Sequence, residues 1–198
     1  MRKVRDYYFN KAKEDNYPAR SVYKLEEVQK KYGFLRKGDV VLDLGCQPGS
    51  WSMYAARIVG PQGLVVGVDI QEGKKTNISG AARIVWLCQD ITADDAVAAL
   101  QRIASDFRVV LSDMAPRTSG NKWVDQQQSL RLARRSLEIA EELLEKGGNY
   151  FSKVFQGEDV PDFISDVRAR FKVTRIIKPK SSRSESREIF VLGMGYLQ

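Results

Sequence analysis

The chain has 198 residues, with 32 Lys and Arg against 25 Asp and Glu for a net charge of +7, two cysteines and no histidine. The missing histidine excludes the usual general base, the Ser-His and Cys-His nucleophile pairs and most zinc sites, so no metal is expected and proton transfer falls to Lys, Asp, Glu or Tyr. The length suits one α/β domain spanning 1–198, two cysteines are too few for a disulfide framework, and neither a membrane span of roughly 18 apolar residues nor a secretory signal is present, which predicts a cytoplasmic protein with no membrane partner.

Residues 1–38 hold eleven Lys and Arg against five Asp and Glu, residues 171–190 hold six against two, and the remainder is net acidic. Tyr7, Tyr8, Phe9, Tyr17 and Tyr23 interleave with the first group of charges. A basic, helical extension over 1–38 therefore suits a polyanion with stackable bases. It also suits a solvated face over ordinary core aromatics, so charge alone leaves both readings open.

A basic helix is predicted at 19–31. It is followed at 40–51 by VVLDLGCQPGSW, an apolar run that ends in an acid and breaks into a glycine-proline loop. Val40, Val41, Leu42 and Leu44 suit a buried parallel strand with Asp43 near its end, and Gly45 and Gly49 let backbone approach a ligand. A second apolar run, LVVGVD, ends in Asp69, at the spacing of an acid that binds ribose hydroxyls. The glycines read G-x-x-x-G and not G-x-G-x-x-G, which favours S-adenosylmethionine over a dinucleotide.

Further apolar runs at 83–88, 108–112, 149–154, 171–177 and 188–194 bring the strand count to seven. Helical patterns fall at 50–59, 93–104, 124–145 and 159–170, with Leu130, Leu137, Ile139, Leu143 and Leu144 along one side of the longest. This alternation predicts a mostly parallel sheet with helices on both faces, and the helix-free connection KPKSSRSESR makes the last strand antiparallel. In such sheets the ligand site lies at the carboxyl ends of the strands. Asp43, Asp69, Asp113 and Lys153 fall at or near those ends, Asp90 just past the third, and Glu188 at the start of the returning strand.

At 111–116, LSDMAP places an acid and a proline turn where enzymes that methylate exocyclic amines carry an NPPY-type motif, and no Pro-Cys nucleophile for C5 chemistry occurs. An acid here with a lysine at the next strand end suits a hydroxyl acceptor. The segments YKLEEV, LDLGCQPGSWS, SDMAPRTSG, KVFQG and KPKSSRSESREIF together resemble the FtsJ/RrmJ family of S-adenosylmethionine-dependent ribosomal RNA 2′-O-methyltransferases, from about Pro18 to Gly195. The resemblance implies a Rossmann-like class I methyltransferase fold and a catalytic tetrad on Lys24, Asp113, Lys153 and Glu188. It implies cofactor contacts on Gly49, Trp51, Asp69, Asp90 and Asp113, and as substrate a uridine of 23S ribosomal RNA in the 50S subunit, modified by a monomer.

Two departures stand out. The loop reads GCQPGSW where the family more often has GAAPGGW, so Cys46, Gln47 and Ser50 replace small residues, and Phe190 stands where tyrosine is frequent. Glu188 is preferred to Glu185 because SRE before an apolar strand is the family's arrangement. Lys153 is the expected base, which requires burial or a neighbouring cation such as Lys24 to disfavour its protonated form. A rival scheme keeps it charged, steering a hydroxyl lone pair. Trp123 is expected in a loop that covers the acceptor. Transfer RNA and messenger RNA cap ribose methylation, and a non-catalytic RNA-binding module, are the alternative functions.

Overall fold

A computed structural model describes residues 2–73, 78–183 and 185–198, with only the backbone of residues 2–6. The side chains of Arg2, Lys3 and Arg5, part of the basic extension, thus lie outside the described residues. Seven strands form one sheet in the order β3-β2-β1-β4-β5-β7-β6. They are β1 Val40–Leu44, β2 Leu64–Asp69, β3 Arg83–Cys88, β4 Phe107–Ser112, β5 Leu144–Phe155, β6 Phe171–Ile177 and β7 Glu188–Tyr196. The first five pair in parallel, and β7 runs antiparallel to both β5 and β6. The order reverses between β1 and β4, which opens a crevice at their carboxyl ends.

Strand alternation divides the interior into two cores. Val41, Val65, Val109, Leu111, Phe151, Phe190 and Leu192 face one side. Helices α2 (Val22–Tyr32) and α3 (Ser50–Val59) cover it, the former through Val22, Tyr23, Leu25 and Val28. Leu42, Leu44, Val66, Val68, Val110, Tyr150, Val154, Ile189 and Val191 face the other. There α5 (Lys122–Leu143) buries Leu130, Ala133, Leu137, Ala140 and Leu143, and α6 (Val160–Arg170) buries Phe163, Ile164 and Val167. The short helix α4 (Ala96–Gln101) completes that layer.

The chain differs from expectation at a few boundaries. Within the extension expected to be helical, the first residues form a separate helix, α1 (Arg2–Glu14). The helix expected at 93–104 is confined to α4, and the long helix ends two residues early. Leu144 has extended dihedrals (φ −75°, ψ 131°) and pairs with Phe107 before a register shift. An apolar residue at the right spacing thus belongs to the strand, and Gly147, with φ of 81°, supplies the irregular backbone.

On the α2 side, aromatic rings form a continuous layer. The Trp51 and Phe151 centroids stand 5.5 Å apart and nearly parallel, Phe151 and Phe190 5.1 Å, and Phe34 lies 5.6 Å from Phe151. The Trp51 indole N–H donates to the Ser21 carbonyl at 2.9 Å, just before α2. Phe151→Ala should therefore cost about 3 to 5 kcal/mol of unfolding free energy in urea titrations, because a fully buried ring leaves a cavity among three others. A loss below about 1 kcal/mol would mean that the neighbouring rings close the gap.

Candidate active site

Two largely buried lysine-carboxylate pairs stand at the carboxyl edge of the sheet. Lys153, near the end of β5 and only 6% exposed, donates from Nζ to the Asp113 carbonyl oxygen at 2.6 Å and to its Oδ1 at 2.9 Å. Asp113 directly follows β4. Lys24, on α2, places Nζ 2.8 Å from both carboxylate oxygens of Glu188, the first residue of β7. The sheet register explains why the pairs adjoin. Lys153 pairs with Phe190 and Phe155 with Glu188, and with a period of two Lys153 and Phe151 share a face, as do Glu188 and Phe190. That is the face α2 covers, and Lys24 Nζ lies 5.4 Å above the Phe190 ring. Glu188, and not Glu185, is thus the acid held by Lys24.

Beside these pairs, a cavity of about 650 Å³ opens at the crevice between β1 and β4, within the range of small-molecule sites. Gly45, Asp69, Asp90 and Asp113 line it, with Ile70, Ile91, Met114 and Leu132 as apolar walls. Asp69 is held by two main-chain donors, Gln47 N–H at 3.1 Å and Gln71 N–H at 3.0 Å. Asp90 Oδ1 accepts from the Thr92 N–H at 2.8 Å and hydroxyl at 2.7 Å, which hold its carboxyl below the usual range. Gly45 has φ of 72°, and a Cβ there would stand 2.5 Å from Met114 Cγ. Among the described residues, no three His, Cys, Asp or Glu side chains gather as metal ligands would.

Asp43, Gly49 and Trp51, also expected to bind cofactor, do not line this cavity. Asp43 is fully buried beneath it, with Oδ2 accepting from the Ser52 hydroxyl at 2.6 Å and Oδ1 unpartnered. Burial, with Asp113 and Asp69 near, pushes its pKa up to about 7. Gly49 is required by its φ of 103° and by the Trp86 ring, 2.9 Å from where a Cβ would sit, so it serves packing. The Trp51 side chain lies in the aromatic layer, so any contact with a ligand falls to its main chain in the first turn of α3, where N–H groups lack helical partners. Tyr54 is core.

The cavity also has members that the sequence reading missed: Gln47, Gln71, Gln89 and Arg117. Their signal was position, since each lies within a few residues of an acid at a strand end. The loop's departures find local partners. The Ser50 hydroxyl accepts from the Ala19 N–H at 2.8 Å, tying the approach to α2 onto α3. The Cys46 thiol is buried against Gly67, which pushes its pKa up.

The sequence matches the family described as FtsJ-like methyltransferase over residues 17–196. The chain belongs to that family. It is 58% identical over 196 residues to the ribosomal RNA large subunit methyltransferase E of Desulfotalea psychrophila, covering 99% of this chain and 98% of the relative. The enzyme of the same name from Desulfosudis oleivorans is 47% identical, with 97% and 91% covered. A Plasmodium falciparum crystal structure described as a ribosomal RNA methyltransferase superposes with a TM-score of 0.77 at 26% identity, covering 91% of this chain and 99% of that one. The fold is accordingly the Rossmann-like methyltransferase fold, the chain is an enzyme, and its cofactor is S-adenosylmethionine. The cavity fits that molecule: carboxylates suit its ribose hydroxyls and its ammonium and sulfonium charges, and the apolar walls suit its adenine.

Asp69→Ala should weaken S-adenosylmethionine binding in calorimetry by about 1 to 3 kcal/mol, the loss of a charge-assisted hydrogen bond. Unchanged affinity in the folded variant would take Asp69 out of the site. Asp43 gives a pH signature. Its folded pKa is raised from an ordinary 3.8 to about 7, so the folded state binds more protons between those values and Asp43 stabilises less as pH rises through about 7. Asp43→Asn should gain unfolding temperature on the wild type as pH rises from about 4 to about 7, with little further change above. A difference constant with pH would show that the carboxyl ionises normally.

Proposed function

We propose that the chain methylates a ribose 2′-hydroxyl of large-subunit ribosomal RNA, a uridine of the 23S molecule within the 50S particle, as a cytoplasmic monomer. One observation carries the reading: Asp113 both lines the cofactor cavity and grips Lys153 at two points. The place where a methyl donor fits and the place where a proton can be taken are thus joined through one residue. The names of the relatives at 58% and 47% identity support ribosomal RNA as the substrate class.

When bound, S-adenosylmethionine supplies an electrophilic methyl group on its sulfonium. Asp69 would receive the ribose hydroxyls, Asp90 and the apolar walls would hold the adenine side, and Asp113 would face the positive end. A neutral lysine amine has two N–H donors and one lone pair. The two Asp113 acceptors engage both donors, which leaves the lone pair for the acceptor hydroxyl. Lys153 then takes the hydroxyl proton as the methyl is transferred, and Glu188 holds Lys24 beside the acceptor ribose. Alignment of the hydroxyl with the methyl supplies much of the rate, and proton removal contributes about 100- to 10,000-fold.

Lys153→Ala should keep cofactor affinity and lose about 100-fold or more in single-turnover methyl transfer. Lys153→Arg should also be poor, since a guanidinium does not readily give up its proton. A near-normal rate in the arginine variant would favour the scheme in which a charged side chain steers the hydroxyl. The substrate is tested with 50S subunits, deproteinised ribosomal RNA and transfer RNA from a strain lacking the gene. Methylation should favour the particle, and equal transfer to all three would overturn the assignment.

A further inference from the structure

Trp123 is 68% exposed, although a tryptophan side chain is large, apolar and seldom left in water. It adds little to either core. Its backbone is nonetheless fixed. Asn121 Oδ1 caps α5 by accepting from the N–H groups of Trp123 at 3.0 Å and Val124 at 3.2 Å. Asp125 Oδ1 accepts from the Ser119 N–H at 2.7 Å and hydroxyl at 2.9 Å, closing the loop before it. An exposed indole on an anchored helix end loses little backbone freedom when a flat partner covers it.

Its position is tied to the lysine pairs from two sides. The loop leading to Trp123 starts at Asp113. Arg187, next to Glu188, donates to the Lys122 carbonyl at 3.3 Å and to the Gln156 carbonyl at 2.7 Å, joining the start of α5 to the exit of β5 beyond Lys153. Gly157 packs so tightly on Gln126, one turn into α5, that a Cβ there would collide with the Gln126 side chain. Exposed Arg117 and Lys122 stand on the same segment, and Arg117 lines the cofactor cavity. An exposed ring flanked by cations beside a hydroxyl-methylating centre matches a nucleobase and its phosphates.

Resting on the RNA-methylation reading above, we infer that Trp123 is a stacking platform for a base neighbouring the methylated nucleotide. The RNA it takes is single-stranded or locally opened, since a base paired within a helix has its faces covered by its neighbours. Trp123 is therefore a positioning residue for the substrate and contributes nothing to cofactor binding.

The test combines kinetics with fluorescence. Trp123→Ala should lower kcat/KM for RNA by roughly 10- to 100-fold, the loss of one base stack, while cofactor affinity stays at the wild-type value. Trp123→Tyr should restore most of it. Trp51 is buried and Trp86 half-buried, so acrylamide quenching of wild-type emission is dominated by Trp123. Deproteinised RNA should protect that emission, and the protection should vanish in Trp123→Ala. Wild-type kcat/KM in Trp123→Ala, or emission that RNA does not protect, would overturn the inference while leaving the function intact. A wild-type enzyme that methylates no RNA hydroxyl would remove the proposed function itself.

Discussion

A lysine amino group can be buried at a sheet edge only if acceptors replace the water it loses. That requirement organises this molecule. Lys153 is satisfied by the carbonyl and carboxylate of Asp113, the residue directly after β4. Lys24 is satisfied by both oxygens of Glu188, so α2 must lie across the start of β7. Removing either carboxylate would leave a largely buried lysine short of its acceptors.

The aromatic layer makes the second pair possible. Trp51, Phe151 and Phe190 come from three distant segments and stack beneath α2, and the Trp51 N–H fixes Ser21 at its entry. The helix is thus anchored at its start and packed along its length, so Lys24 reaches Glu188 from a defined position. Phe190 takes part in both interactions, stacking on Phe151 and lying under the Lys24 ammonium. Packing energy and site geometry are here properties of the same rings.

The cavity depends on a different constraint. Gly45 and Gly49 both have positive φ, and at each a side chain would strike the protein itself, Met114 at the first and Trp86 at the second. The turn after β1 therefore holds a conformation that carries Gln47 N–H to Asp69. Asp69 is oriented by that donor and by Gln71, so its placement is set before any ligand arrives.

The sequence by itself determined the seven strands, their alternation with helices and the motifs at their ends, because apolar runs and glycine turns are local signals with fixed periods. The same regularity allowed Asp113, Lys153 and Glu188 to be placed at one edge from their positions alone. Period-two alternation says that Phe151 and Lys153 share a face, but which helix covers that face is a property of the folded chain, so the pairing of Lys24 with Glu188 emerged only in three dimensions. The directions of Asp43, Gly49 and Trp51 were equally hidden. All three lie in or beside the loop that holds the ligand, yet one is sealed below it, one is held by a ring from β3 and one is drawn into the aromatic layer. Leu144 shows the same limit in the backbone: its apolar character continued the helical pattern, and pairing with Phe107 made it strand. Local sequence fixes what a segment can be, and long-range packing decides which way its side chains point.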